Sequence, residues 1–143
     1  MTTHSHLLLV EDDPSQVALA VTIFDLAGWT FKVVRDGVAA VEACKDEQFD
    51  LILMDFNLPK LNGAEATLEI RRWEKSQLQE PVLIIGVTAR AMPSDIQICR
   101  SSGMDQVITK PYDIDLLLMH LDRLRNAGDR PDTEVQAVSS NSR

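Results

Sequence analysis

The chain has 143 residues, of which 45% are hydrophobic and 25% charged, a composition typical of one globular domain. Its 22 acidic residues outnumber 14 Lys and Arg residues, which gives a net charge of −8 and disfavours direct binding to nucleic-acid phosphates. No apolar stretch approaches the roughly 18 residues of a membrane span, and no Lys or Arg precedes the first apolar run as in a secretory signal. Two cysteines do not make a disulfide framework, so we expect a cytoplasmic protein.

Five short apolar runs predict β-strands at residues 7–10, 31–34, 51–54, 82–87 and 107–108. Three of them are almost continuously apolar, as in strands that are covered on both faces. Segments of about 10–15 residues with helical spacing lie between the runs, which is typical of βα units. The pattern predicts an α/β fold, a doubly wound, flavodoxin-like (βα)5 domain with a five-stranded parallel sheet in the order 2-1-3-4-5. We expect this domain to span residues 5–127 and a disordered polar tail to span residues 128–143.

Polar residues stand at the predicted carboxyl ends of four strands: Glu11, Asp12 and Asp13 after the first, Asp55 after the third, Thr88 at the fourth and Lys110 after the fifth. Ligand sites of open parallel sheets lie at these ends. A 2-1-3-4-5 order places the first and third strands side by side, so Asp12 and Asp55 would face each other. The sequence therefore predicts a single site at this edge of the sheet.

The charge of this predicted site favours a metal ion. Four carboxylates face a single lysine, and crowded carboxylates raise one another's pKa unless a cation is present. Oxygen ligands suit Mg²⁺ or Mn²⁺, and the lack of a usable His or Cys nearby argues against zinc. We expect a divalent cation of the Mg²⁺ or Mn²⁺ type.

An ionised aspartate beside a hard cation and a lysine is a candidate nucleophile toward phosphorus. Phosphoryl transfer requires in-line positioning and neutralisation of charge on the equatorial oxygens. The cation would take one oxygen, Lys110 a second, and Thr88 with nearby backbone N–H groups a third. Ala89, which follows Thr88, leaves room for an incoming phosphodonor.

The chain resembles the response-regulator receiver domain of two-component signalling at residues 8–14, 51–59 with 62–63, 87–89, 103–105 and 109–111, in order and at the family's spacing. The resemblance implies that Asp55 accepts a phosphoryl group from a phosphohistidine on a sensor histidine kinase or a histidine phosphotransfer protein. It implies that the domain catalyses its own phosphorylation and a slow autodephosphorylation instead of acting as a conventional enzyme.

The resemblance also implies a ligand set for Mg²⁺. Asp12 and Asp55 would ligate the ion directly together with the backbone carbonyl of Asn57, and Glu11 would act through a water molecule. Asp13 lies outside the usual acidic pair and ranks below these residues as a tuning position.

The resemblance further implies a switch in which Lys110 and Thr88 contact the phosphoryl group and Thr88 moves toward it. The family often carries Tyr or Phe three residues before the lysine, where this chain has Val107. A small aliphatic residue cannot make the exchange between exposed and buried positions by which the aromatic ring follows the threonine. Arg90 and Asn57 flank the site and could tune hydrolysis of the phosphoryl group.

Output would pass through protein contacts with an unknown downstream target, and the start at Met1 and the polar tail favour a stand-alone regulator. One alternative is a receiver fragment of a hybrid histidine kinase that relays phosphate to a histidine phosphotransfer domain, and another is an unphosphorylated interaction scaffold. A phosphatase of the haloacid-dehalogenase type is disfavoured, because Asn57 stands where that class needs an acidic proton donor. The loop after the first strand is not glycine-rich, which disfavours flavin or dinucleotide binding.

Overall fold

The computed structural model describes residues 6–89, 92–110 and 113–127. Strands and helices alternate along the chain as β1 (His6–Val10), α1 (Pro14–Ala27), β2 (Thr30–Val34), α2 (Gly37–Asp46), β3 (Leu51–Asp55), α3 (Gly63–Ser76), β4 (Leu83–Thr88), α4 (Pro93–Ser102), β5 (Gln106–Thr109) and α5 (Ile114–Ala127). This alternation confirms the predicted (βα)5 arrangement. The predicted tail at residues 128–143 lies outside the described residues, so the domain boundary stays a prediction.

The five strands form one parallel sheet in the order β2-β1-β3-β4-β5, which confirms the predicted flavodoxin-like topology. Val10 pairs with Met54 across β1 and β3, so the residues that follow β1 come out beside Asp55 at the end of β3. Thr88 pairs with Thr109 across β4 and β5, which brings the start of the next loop beside the end of β4. The topology thus gathers the ends of four strands at one edge.

The sheet is covered on both faces. On β1, Leu7 and Leu9 pack with α1 and α5, whereas Leu8 and Val10 pack with α2, α3 and α4. All four side chains are fully buried, which explains why the run is continuously apolar and does not alternate.

Local signals set the ends of the helices nearest the site. Asp13 caps α1 through its carboxylate, Pro14 occupies the first turn, and Gly28 closes the helix with a left-handed φ of 79°. Asn62 and Glu65 form a reciprocal capping box at the start of α3. These caps fix where the loops that follow β1 and β3 must end.

Val82 was predicted to lie in the fourth strand, but β4 begins at Leu83. The backbone groups of Val82 form hydrogen bonds with side chains of α3 and not with a neighbouring strand. Its N–H donates to Glu74 Oε2 at 2.8 Å, and its carbonyl accepts from Arg71 Nη1 at 2.8 Å. The apolar run therefore continues one residue beyond the ladder.

Arg71 also binds the connection between α4 and β5. Its Nε donates to the carbonyl of Gly103 at 3.0 Å, and its Nη2 donates to Asp105 Oδ2 at 3.1 Å. The same Asp105 oxygen accepts the backbone N–H of Ile84 at 2.8 Å. One guanidinium thus joins α3, the start of β4 and the end of α4 at the edge of the sheet opposite the predicted site. Among the described residues, no helix has the length and apolarity needed to cross a membrane.

Candidate functional site

Backbone hydrogen bonds place the predicted site residues at the carboxyl edge of the sheet. The N–H of Glu11, directly after β1, donates to the carbonyl of Val34 at 3.0 Å. The N–H of Lys110, directly after β5, donates to the carbonyl of Thr88 at 2.8 Å. Asp55 is itself the last residue of β3. The ladder therefore continues one residue into the loops and aligns these side chains.

Three carboxylates converge at this edge. Glu11, Asp12 and Asp55 each offer an oxygen atom, and these oxygens lie within 4.8 Å of one another. Glu11 is fully buried and Asp55 is 3% exposed, whereas Asp12 is exposed to solvent. The cluster thus has two buried carboxyl groups, and its exposed side at Asp12 is where a ligand can enter.

Lys110 supplies a positive charge in contact with this cluster. Its Nζ lies 3.1 Å from Asp55 Oδ2 and 3.0 Å from Glu11 Oε1. Burial lowers the pKa of Lys110, but the hydrogen bonds to Glu11 and Asp55 outweigh this effect and raise it. The ammonium group therefore stays charged and bridges the two buried carboxylates.

A single ammonium does not neutralise three carboxylates. Burial raises the pKa of Glu11 to about 7, and the proximity of Asp55 adds to this rise although Lys110 opposes it. The ordinary pKa of that carboxyl is 4.5. A set of oxygen donors with excess negative charge fits a hard divalent cation such as Mg²⁺.

The two oxygens of Asp55 have different partners. Oδ2 accepts from Lys110, while Oδ1 accepts the backbone N–H of Asn57 at 3.2 Å. The loop that carries Asn57 is held by the N–H of Phe56, which donates to Val87 at 2.8 Å. The orientation of the carboxylate therefore depends on the loop that follows it.

Asp13 lies beside the cluster but performs a different role. Its Oδ1 accepts the backbone N–H of Ser15 at 3.0 Å and the Ser15 hydroxyl at 2.9 Å. These hydrogen bonds lower the pKa of Asp13. The group of potential metal ligands found among the described residues does not include it. Asp13 is thus the cap of α1, and its role as a tuning position stays a prediction.

The described part of the chain places two further predicted residues at this edge. Thr88 is 2% exposed at the end of β4, and Ala89, the next residue, is exposed. A buried hydroxyl thus borders an open position without a bulky side chain. Arg90, predicted as a tuning residue, lies outside the described residues.

Val107 occupies a buried position on β5 and pairs with Gly86 of β4. Its side chain belongs to the core cluster on the α2, α3 and α4 face of the sheet, together with Met104 and Cys99. Val107 is thus an aliphatic side chain that is packed in the core.

Sequence reasoning missed the close packing that fixes the loop after Asp55. A β-carbon at Gly63 would come within 2.9 Å of the Cα atom of Phe56 and even closer to the carbonyl oxygen of Asp55. The N–H of Gly63 donates to the carbonyl of Phe56 at 2.9 Å. The sequence signal was the pair Asn62-Gly63, but spacing alone does not reveal the contact.

The site consists of three carboxyl groups and one lysine at the carboxyl edge of a parallel sheet with the strand order 2-1-3-4-5. Residues 7–122 match the family model described as the response regulator receiver domain. The chain belongs to this family of phosphorelay modules in two-component signalling, as its sequence motifs predicted.

Three comparisons illustrate the relationship. The sensor protein GacS of Pseudomonas syringae pv. syringae is 39% identical over 105 residues, which cover 73% of this chain and 12% of GacS. The receiver domain of the sensor histidine kinase PA1611 from Pseudomonas aeruginosa PAO1, solved with a magnesium ion in its active site cleft, is 34% identical with a TM-score of 0.76. That match covers 85% of this chain and 98% of the solved one.

The third comparison is a chain in the co-crystal structure of the Saccharomyces cerevisiae histidine phosphotransfer signaling protein Ypd1 and the receiver domain of its downstream response regulator Ssk1. It has a TM-score of 0.82 and 27% identity, and the match covers 92% of this chain and 96% of that one. The chain thus spans nearly the whole of solved receiver domains but about an eighth of the length of GacS.

Proposed function

We propose that Asp55 is the phosphoacceptor of this receiver domain and that it takes a phosphoryl group from a phosphohistidine in a reaction that depends on Mg²⁺. The observation that carries the proposal is the position of Lys110, whose Nζ lies 3.1 Å from Asp55 Oδ2 at the edge of a three-carboxylate cluster. This arrangement combines a nucleophile, a cation site and a fixed positive charge.

Asp12 and Asp55 would hold the cation, with the backbone carbonyl of Asn57 as a further ligand and Glu11 acting through a water molecule. The spacing of the carboxylate oxygens and the burial of Glu11 support this ligand set. Mg²⁺, or Mn²⁺ in its place, would supply neutralisation of negative charge on the phosphoryl oxygens. The magnesium ion in the PA1611 receiver domain is consistent with the same choice of metal.

The transfer itself would proceed by in-line displacement at phosphorus. An oxygen of Asp55 forms the new O–P bond while the N–P bond of the donor phosphohistidine breaks and its electron pair returns to the imidazole. Lys110 would exchange its contact with Asp55 Oδ2 for a contact with the transferred group. Thr88 would offer its hydroxyl to another phosphoryl oxygen, and the exposed Ala89 would leave the approach open.

A histidine phosphotransfer protein or a sensor histidine kinase would be the phosphodonor. The likeness to a receiver domain solved together with the phosphotransfer protein Ypd1 supports the first class of partner. The match to a small part of GacS supports a receiver module of a hybrid sensor kinase that exchanges phosphate with such a protein. We further propose that the phosphorylated domain contacts a downstream protein target and that the chain is located in the cytoplasm.

Phosphorylation can be tested directly by intact mass. The chain is incubated with Mg²⁺ and either acetyl phosphate or a phosphorylated histidine phosphotransfer protein. We expect one added phosphate in the native chain and in Asp25→Asn, a control at an exposed position on α1, and none in Asp55→Asn. Absence of an adduct in the native chain with fresh donor and metal would overturn the proposal, as would an adduct that persists in Asp55→Asn.

A further inference from the structure

The loop between β3 and α3, residues 56–62 and here called the acceptor loop, contains a strained backbone. Lys60 has a φ of 69°, in the left-handed region that side-chain-bearing residues rarely adopt. The N–H of Leu61 donates to the carbonyl of Pro59 at 2.7 Å, which closes a three-residue turn around Lys60. Such a conformation persists only where the surroundings determine it.

The surroundings of this turn include the first residue of α2. A β-carbon at Gly37 would lie 2.6 Å from the Cβ atom of Leu61 and closer still to its carbonyl oxygen. The absence of a side chain at Gly37 therefore allows the acceptor loop to rest directly on the backbone of α2. The ion pair between Lys60 and Asp36 has a separation of 3.6 Å, but the lysine side chain is 67% exposed, so this pair contributes little to holding the loop.

The other end of the same loop reaches the site. The N–H of Asn57 donates to Asp55 Oδ1, and Gly63 packs against the carbonyl of Asp55. A shift of the loop at Leu61 would therefore be transmitted toward the carboxylate and toward the carbonyl of Asn57. The acceptor loop thus connects the contact between Gly37 and Leu61 to the carboxylate of Asp55 through one short, closely packed segment.

We propose that Gly37 is a positioning residue for the cation site, because its contact with Leu61 holds the acceptor loop in the conformation that presents Asp55 and Asn57 to the metal. This inference rests on the proposed function, since it assumes that these residues bind Mg²⁺. Gly37 itself touches neither the metal nor the phosphoryl group.

The direct test is Gly37→Ala. The backbone of Gly37 is not in the left-handed region, so alanine is conformationally acceptable there and suits a helix, and its main effect is to push on Leu61. We expect the dissociation constant for Mg²⁺, measured by titration calorimetry, to rise about tenfold, as it does when groups that orient metal ligands are changed. Val38→Ala, at a 45% exposed side chain in the same helical turn, is the matched control and should change the constant less than about twofold.

A second pair of variants tests the loop from its other side. Lys60→Val places a β-branched residue at a positive φ and should weaken Mg²⁺ binding, whereas Lys60→Gly adopts the same φ without strain and should retain it. Thermal unfolding of the metal-free variants separates positioning from general destabilisation. We expect lower melting temperatures for Gly37→Ala and Lys60→Val, so Mg²⁺ is titrated at a temperature at which each metal-free variant is folded. We also expect a shifted Asn57 amide resonance in both variants.

The inference is overturned if Gly37→Ala binds Mg²⁺ within about twofold of the native chain, or if Val38→Ala loses as much affinity. Retention of affinity in Lys60→Val would count against it in the same way. A native chain that binds no Mg²⁺ at all would instead overturn the proposed function, so the two failures give different results.

Discussion

Lys110 and Asp55 are 55 positions apart in the chain, yet Nζ of the lysine lies 3.1 Å from Oδ2 of the aspartate. The contact follows from the strand order, because β4 alone separates β3 from β5. The same ammonium lies 3.0 Å from Glu11, so one lysine contacts both buried carboxyl groups of the site.

Removal of the lysine charge should therefore destabilise the metal-free protein. In Lys110→Met, Glu11 and Asp55 lose their shared cation, and we expect the free energy of unfolding at pH 8 to fall by about 1–3 kcal/mol. Millimolar Mg²⁺ should restore part of this loss. Urea unfolding in EDTA and in Mg²⁺ measures both effects. Lys32→Met removes a more exposed ammonium paired with Glu47 and should cost less than about 1 kcal/mol; equal losses in the two variants would contradict this account.

The stability of the metal-free protein should fall as the pH rises from about 4.5 to about 7. Burial raises the pKa of Glu11 from 4.5 to about 7, so the folded state binds this proton more tightly than the unfolded chain. The stabilisation that comes from protonated Glu11 is complete below pH 4.5 and is lost as Glu11 of the folded state ionises at about pH 7. Glu11→Gln cannot ionise and should show a flatter profile of urea midpoints in EDTA, while Glu42→Gln, at an exposed position on α2, should follow the native profile. Parallel profiles for all three proteins would refute the assignment to Glu11.

Leu78 offers a route to a more stable protein. This residue follows the end of α3 with a φ of 55°, and its side chain is 94% exposed. Glycine adopts this backbone without steric cost, so Leu78→Gly should raise the free energy of unfolding by about 1 kcal/mol. The same substitution at Leu68, within α3, should lower it. Differential scanning calorimetry distinguishes the two, and a lower melting temperature for Leu78→Gly would show that the side chain contributes more than its exposure indicates.

Arg71 should be far more important for stability than its neighbour Arg72. The Arg71 guanidinium donates to two backbone carbonyls and two carboxylates, whereas Arg72 is 67% exposed and pairs only with Glu69 among the described residues. Arg71→Lys cannot reproduce the planar fork, so we expect a loss of about 2–4 kcal/mol in free energy of unfolding. Arg72→Lys should stay within about 0.5 kcal/mol of the native chain. Similar melting curves for the two variants would disprove the distinction.

The fold was predictable from sequence because the strands are short, three of them are almost continuously apolar, and each is followed by a segment with helical spacing. The candidate site was predictable for a related reason. Parallel topology sends the residues after every strand to one edge, so Asp12, Asp55 and Lys110 were expected to converge once the strand order was assigned. In these cases local pattern and global topology point to the same arrangement.

Contacts between loops were not predictable in this way. The predicted start of β4 was one residue too early, because the side chains of Arg71 and Glu74 form hydrogen bonds with the backbone of Val82 in place of a neighbouring strand. The hydrophobic pattern of the sequence does not reveal such hydrogen bonds. The approach of Gly37 to Leu61 joins segments whose positions are set only by tertiary packing. An aspartate followed by a glycine, as at Asp36 and Gly37, indicates a turn, but the sequence does not show which segment packs against the glycine.

The Arg71 interactions cross-link the elements at one end of the sheet. They tie the C-terminal end of α4 to the start of β4, while Thr88 lies at the opposite end of that strand, roughly 17 Å away for six residues of extended chain. Arg71 thus attaches the C-terminal end of α4 to the sheet, whereas within the described part of the chain no hydrogen bond of this residue reaches the N-terminal end of the helix.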